Sequence, residues 1–335
     1  MKPSLLAQRL RAYFLSREPQ PCFIWGPPGC AKSSVVYQTT QELKYELKVF
    51  IASTIDPVDL RGVMFIEDGE TVFAPPRDFK PGRIRTVYFF DELNTATPAV
   101  QASMLRLILE GRLGDIDIST QVRVGAGNRA IDLAAVNRMP SPLVNRFHHL
   151  YMDPDFEDWK QWAYRNDVES SIIAFHNFTS GSKLYVKPAE RDRPFPSPRS
   201  WHFLSNTIKI LGGVENLLYE DVMGNVGEGL AAEYLGFLEV YATLPKSADQ
   251  VMGKKLTYTK EPSKQHAVNG MITSFFARCS DKAKVAKDII EYAAALDHRE
   301  FAVILLRDVM HVDAKVIMAA PGYVAWAKDI KELVL

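Results

Sequence analysis

The run Gly26-Pro27-Pro28-Gly29-Cys30-Ala31-Lys32-Ser33 constrains this chain more than any other stretch. It follows the apolar residues Cys22-Phe23-Ile24-Trp25 and leads into Ser34-Val35-Val36-Tyr37, which reads as a helix start. A strand, a glycine-bearing loop and a helix opening on Lys-Ser form an arrangement that cradles nucleotide phosphates. Backbone N–H groups of the loop and of the helix N-terminus point at the anion, and Lys32 reaches the outer phosphates. Ser33 offers its hydroxyl to a magnesium ion. The residue before the lysine is Ala31, where glycine is usual; a negative, helical φ is expected there, which alanine tolerates.

A second signal lies downstream. Val87-Tyr88-Phe89-Phe90 is the continuous apolar run of a strand buried on both faces, and it ends in Asp91-Glu92. Carboxylates at the C-terminal edge of a parallel sheet stand where ligands bind in open α/β folds. Asp91 suits the magnesium shell, directly or through water, and Glu92 suits polarising an attacking water. The competing explanation is a strand end followed by a solvated acidic loop, and each motif taken alone would leave it standing. Both in this order argue for a site.

The rest of the chain supplies a frame for them. Residues 4–15 carry apolar residues at helical spacing, and Pro19-Gln20-Pro21 separates that helix from the first strand. A helix over 33–45 and strands over 48–53, 83–90, 121–126 and 148–152 alternate as expected of a mostly parallel sheet covered on both faces. Within the segment 56–76, Asp68-Gly69 between short apolar runs predicts a β-hairpin. Thr97-Pro98 marks a helix start and Gly111 its end. From about Asp153 the strand signal disappears, and helical patterns follow at 155–165, 167–177, 200–212, 228–243, 265–279, 281–295, 299–310 and 321–333. The segment 187–198 reads as a loop and 253–264 as a polar, exposed linker. The expected organisation is an α/β nucleotide-binding domain over 1–152, a helical lid over 153–245 and a helical C-terminal extension over 246–335.

Together these motifs resemble AAA+ ATPases. The features that carry the likeness are proline after the first glycine of the loop, a strand ending Asp-Glu, Asn128 ending a later strand, and Asn145-Arg146-Phe147 before another. More narrowly the chain resembles the MoxR-like group of the helix-2-insert clade, in which alanine before the lysine is commonplace and a hairpin like that of 56–76 is inserted. The segment Asn94–Gln101 is similar as well. The likeness implies a P-loop NTPase fold, ATP and Mg²⁺ as cofactors, and a homo-oligomeric, hexameric ring. It implies that Gly26–Ser34 and Asp91 bind the nucleotide and that Ser33 and Asp91 hold the metal. It implies that Glu92 activates water, that Asn128 orients it as the first sensor, and that Arg146 reaches a neighbour's ATP, with Arg129 and Arg138 as rivals. Arg199, in the first turn after Ser197-Pro198, is the candidate second sensor. A cation is unfavourable at a helix N-terminus, so an arginine there serves a nearby anion better than the helix. The hairpin is either a plain surface turn or a contact to a client protein. The client the likeness implies carries a von Willebrand A-type domain.

Composition narrows the alternatives. Forty Lys plus Arg balance forty Asp plus Glu, and no basic run is interleaved with aromatics, which disfavours a nucleic-acid motor or loader. A nucleotide-binding scaffold without turnover is disfavoured by the intact Asp91-Glu92 pair. Three scattered cysteines, Cys22, Cys30 and Cys279, outline neither disulfides nor a zinc site and fit a reducing cytoplasm. No run approaches the ~20 apolar residues that span a bilayer. His148 and His149 alternate on a strand, the wrong geometry for a shared metal. Gly224, Gly227 and Gly229 lack a preceding strand and read as a helix boundary, and the aromatics from Trp159 to Phe178 read as core.

Overall fold

The computed structural model describes residues 1–334 apart from 75, 114–115, 133–136, 189, 191–192 and 246. Parts of the expected hairpin insert and of the 187–198 loop therefore lie outside the described residues. The chain forms two compact units, one of residues 1–155 with 188–191 and one of residues 156–187 with 192–335.

The first unit is built on a five-stranded parallel sheet. In chain order it contains α1 (Pro3–Leu15), β1 (Cys22–Trp25), α2 (Lys32–Glu42), β2 (Glu46–Ile51), α3 (Pro57–Arg61), β3 (Val63–Glu67) and β4 (Glu70–Ala74). It continues with β5 (Thr86–Asp91), α4 (Pro98–Glu110), the short pair β6 (Arg112–Leu113) and β7 (Ile116–Asp117), β8 (Val122–Gly127), α5 (Ser141–Val144) and β9 (His148–Tyr151). The sheet order is β2-β5-β8-β1-β9. Every neighbouring pair in that sheet runs parallel. Parallel strands need crossovers, and α2 and α4 supply them, which is why β5 and β8 are buried along nearly their whole length. The order sets β8 between β1 and β5. The loop after β1, the carboxylates ending β5 and the turn after β8 therefore emerge side by side at one edge. Leu6, Leu10 and Phe14 of α1 pack with Val35 and Val36 of α2 on one face; Val100, Met104, Leu107 and Ile108 of α4 are buried on the other.

Local signals account for most boundaries. Thr97 accepts a hydrogen bond from the Val100 N–H at 3.4 Å and caps α4, and Gly111 ends that helix at φ 67°. A side chain at Gly111 would run into the Ser119 backbone. Asp68 and Gly69 have φ of 51° and 81°, the doubly left-handed turn that the Asp-Gly pair predicts. The hairpin it closes is exposed along both strands, with Val63, Met64 and Ile66 each more than three-fifths exposed.

The second unit is helical: α6 (Phe156–Arg165), α7 (Ser170–Phe178), α8 (Pro198–Leu211), α9 (Tyr219–Val226), α10 (Glu228–Tyr241), α11 (Ala248–Gly253), α12 (Pro262–Arg278), α13 (Lys282–Ala294), α14 (Arg299–Ala319) and α15 (Tyr323–Val334). One hydrophobic core runs from Trp159 to Ala320. α7 and α12 pack against each other, with Gly270 facing Ala174. Three expectations need correction. The stretch 253–264 is only in part an exposed linker: its middle is tied down, with Thr259 buried, the Tyr258 N–H donating to Gln265 Oε1 at 2.8 Å, and the Leu256 carbonyl accepting from the Tyr292 hydroxyl. Its polar composition conceals backbone groups satisfied by side chains of α12 and α13. The helix expected to end near 310 resumes after a break at Asp313, whose carboxylate caps the following turn by accepting from the Val316 N–H. Of the aromatics read as core, Trp159, Tyr164 and Phe175 are buried, whereas Phe178 is 45% exposed. Gly227 closes α9 at φ 86°, as a helix boundary should.

Candidate functional site

The loop after β1 wraps around the Lys32 side chain. Its ammonium donates to the Gly26 carbonyl at 2.9 Å, the Pro27 carbonyl at 3.0 Å and Asn128 Oδ1 at 2.7 Å, and the residue is only 8% exposed. Gly26 is required here, since a Cβ would lie 2.8 Å from the Met152 carbonyl oxygen. Ala31 corrects the expectation of a helical φ, for it sits at φ 79°, ψ 23°, in the left-handed region. That conformation costs a non-glycine residue about 1–2 kcal/mol. Ala31 also carries no capping side chain, which leaves the N-terminus of α2 to an anion. Cys30 is buried in the loop, and burial pushes its thiol up against the opposing pull of Lys32, which disfavours the thiolate.

Ser33 and Asp91 meet at the floor of the site, where the Ser33 hydroxyl donates to Asp91 Oδ2 at 2.5 Å. A hydroxyl and a carboxylate are hard oxygen donors, and one or two such groups together with phosphate oxygens are how magnesium is usually held. The residues present fit that ion. Glu92 follows with φ 55°, an unusual conformation for glutamate, secured by the N–H and hydroxyl of Thr95, which both donate to the Glu92 carbonyl. Its carboxylate accepts from the Ser53 hydroxyl at 2.8 Å. The two acidic neighbours thus separate, Asp91 toward Ser33 and Glu92 toward Ser53.

Residues 21–147 match the family model described as AAA domain (dynein-related subfamily). Residues 21–147 are an AAA+ P-loop domain. A curated relative, the Holliday junction branch migration complex subunit RuvB of Treponema denticola, is 28% identical over 137 residues, 37% of this chain. The chain spans about a third of that relative's length, 34%. Among solved structures, the Thermotoga maritima RuvB Holliday junction branch migration motor is similar at 15% identity and a TM-score of 0.39, with 75% of this chain and 78% of that one covered. A point mutant of RuvB from the same organism reaches 16% identity and a TM-score of 0.41, covering 79% and 85%.

Within the AAA+ domain the structure brings together Lys32, Ser33, Asp91 and Asn128, with Glu92 beside them. Arg146 lies in the turn between α5 and β9. Among the described residues its guanidinium makes no hydrogen bond or ion pair within the chain, and the same holds for exposed Arg138. Arg129 is corrected as a rival for contacting a neighbour. It pairs with Asp132 at 2.7 Å and Asp153 at 2.6 Å, and these bonds hold its guanidinium more firmly charged than usual. Arg199 belongs to the second unit, exposed in the first turn of α8. Ser197 caps that helix by accepting from the Ser200 N–H at 3.2 Å.

Two participants escape sequence reasoning. Asn94, 2% exposed, clamps the Asn128 backbone from both sides, its amide donating to the Asn128 carbonyl at 2.7 Å and its Oδ1 accepting from the Asn128 N–H at 3.2 Å. Gly127 has no room for a Cβ because that amide lies against it. Ser53 reaches Glu92 from the turn after β2, a pairing set by the β2–β5 register that no local spacing reveals. His148 and His149 do face opposite sides of the sheet, one against Tyr13 and the other against Trp25.

Proposed function

We propose that this chain is a Mg²⁺-dependent ATPase of the MoxR-like group, hydrolysing ATP between the subunits of a ring, most simply a hexamer. The observation that carries the reading is the convergence of Lys32, Ser33, Asp91 and Asn128 at the edge of the sheet, reached from three adjacent strands. Gly26–Ser34 bind the phosphates, and Lys32 transfers its ammonium from the Gly26 and Pro27 carbonyls to the outer phosphate oxygens. Ser33 and Asp91 exchange their mutual hydrogen bond for the metal, which when bound neutralises charge on the phosphate oxygens. Glu92, freed from Ser53, takes the proton of the attacking water, and Asn128 holds that water in line. Arg146 acts on the neighbouring subunit's ATP, where an arginine offered in trans can be worth about 10³–10⁵ in rate. Arg199 couples the helical lid to the nucleotide. The output is remodelling or maturation of a protein client in the cytoplasm, a von Willebrand A-type domain protein on the strength of the family resemblance.

A second reading, a nucleic-acid motor, is favoured by the similarity of 137 residues of this chain to a subunit named for branch migration. The balanced charge of the chain weighs against it. The readings separate in one assay series. ATP turnover is measured for the wild type, for Lys32→Ala, and for mixtures of wild type with Arg146→Ala, each with and without duplex and single-stranded DNA. Loss of binding in Lys32→Ala, together with turnover in mixtures that falls faster than the wild-type fraction, supports the ring ATPase. Unchanged ATP affinity in Lys32→Ala overturns it. Strong DNA stimulation that vanishes with salt moves the assignment to the motor.

A further inference from the structure

Trp25 is the last residue before the phosphate loop, and its indole N–H donates to His149 Nδ1 at 2.8 Å. The other ring nitrogen of His149, Nε2, lies 2.8 Å from the Val144 carbonyl oxygen. These partners decide the tautomer. An indole nitrogen can only donate and a carbonyl can only accept, so Nδ1 is bare and Nε2 carries the proton. His149 is therefore a neutral bridge with one acceptor and one donor, both used.

The two ends of the bridge are functionally unlike. Val144 closes α5, and its carbonyl also accepts from the Phe147 N–H at 3.2 Å, while the Arg146 N–H donates to the Leu143 carbonyl at 3.1 Å. Arg146 thus sits inside the turn 144–147, whose first carbonyl is anchored on His149. Trp25 is fastened to the same edge of the sheet, its carbonyl accepting from the Met152 N–H at 2.7 Å, and it leads directly into Gly26. Phe23, Trp25, Phe147 and His149 form one aromatic group, with Phe23 4.4 Å from Trp25 and 5.3 Å from Phe147 between centroids. A packed group of this kind resists small displacements, so a shift of the strand end passes to the turn.

We infer that His149 is a positioning residue that ties the phosphate-loop strand to the Arg146 turn, so that the arginine presented to a neighbouring subunit is set by the chain's own nucleotide loop. The inference rests on the reading that Arg146 acts in trans. Three variants break the bridge at different points. Trp25→Phe removes the indole N–H and keeps an aromatic ring, His149→Leu removes both bonds and keeps bulk, and His149→Gln restores a donor for Val144.

Turnover and nucleotide affinity are measured on the assembled protein, with Arg146→Ala alongside. His149→Leu is expected to lower kcat by about ten- to a hundredfold, the scale of a misplaced catalytic group. ATP affinity should stay within about twofold, since the phosphate contacts themselves are untouched. His149→Gln should recover part of the loss. Trp25→Phe combined with His149→Leu should lose no more than His149→Leu alone, because both cut one link. When His149→Leu is placed on subunits that also carry Glu92→Gln, the turnover of their wild-type neighbours should fall as it does with Arg146→Ala. The inference is overturned if Arg146→Ala lowers kcat while His149→Leu and Trp25→Phe leave it unchanged, or if their effects add. If Arg146→Ala itself leaves kcat unchanged, the trans role fails first and the inference falls with it.

Discussion

The two units bury their charges differently. In the AAA+ domain the buried ammonium of Lys32 contacts two carbonyls of its own loop and the amide oxygen of Asn128, all neutral acceptors. In the helical unit the ammonium of Lys160, 1% exposed, lies 2.7 Å from the carboxylate of Asp308, which is fully buried. Exchanging one of these neutral acceptors for a phosphate oxygen gains charge complementarity for the Lys32 ammonium. Separating Lys160 from Asp308 would leave the buried carboxylate with only the longer contacts to Tyr164 and Arg307, and the ammonium with Glu157. One arrangement is built to be exchanged and the other to stay closed. The same contrast holds for the acids, since Glu92 leans on a serine hydroxyl at the exposed rim while Asp308 is sealed between helices.

Substitutions can break or sharpen this contrast. The largest effect on chemistry is expected from Glu92→Gln, which should bind ATP and lower turnover by about 10²–10⁴ while leaving thermal stability unchanged. Near-normal turnover in a single-turnover assay would place the base elsewhere. In the helical unit the order reverses. Lys160→Met should cost about 3–5 kcal/mol of stability by removing the nearest cation from buried Asp308, which keeps only the longer contacts to Tyr164 and Arg307 at 3.5 and 3.7 Å; denaturant unfolding reads the loss, with nucleotide affinity retained wherever the protein remains folded. A loss below 1 kcal/mol would mean that the pair is not closed.

His176 gives a smaller, pH-dependent effect. It is fully buried, neither ring nitrogen has a hydrogen-bond partner among the described residues, and burial pushes its pKa down to about 3. Between that value and the ordinary 6.5 only the unfolded chain takes up the proton, so stability must fall as pH falls through this window. The loss should reach about 2 kcal/mol by pH 5, and His176→Leu should flatten this part of the acid slope. An unchanged slope would assign the acid sensitivity to other groups. The smallest effect is expected at Ala31. Ala31→Gly relieves a left-handed strain of about 1–2 kcal/mol but loosens the unfolded chain by about 0.5–1 kcal/mol. A net gain of at most about 1.5 kcal/mol in thermal unfolding is expected, and clear destabilisation would refute the strained loop.

Much of the AAA+ domain was legible because its signals are local. Asp68-Gly69 prescribes its own turn, Thr97-Pro98 its own helix start, and Val87–Glu92 its own buried strand with acids at the tip. Lys32, Ser33 and Asp91 could be nominated because each ends or begins an element whose pattern is visible, and Asn128 through the family resemblance. The backbone of Ala31 could not, since a side chain does not announce a left-handed φ that the surrounding loop imposes. Nor could the anchoring of 256–259, whose backbone at Leu256 and Tyr258 is held by Tyr292 and Gln265 in two different helices.

The sequence by itself determined that a parallel sheet would carry a phosphate loop and an acidic strand end, because strand, loop and helix signals are short-range and additive. Only the tertiary structure decided which groups face one another. Asn94 grips Asn128, Ser53 meets Glu92, Arg129 is consumed by Asp132 and Asp153, and His149 bridges Trp25 to Val144. Those pairings depend on the order β2-β5-β8-β1-β9 and its register. Strand order arises from the joint burial of every helix and strand in the domain, so it is not encoded in any single stretch of the chain.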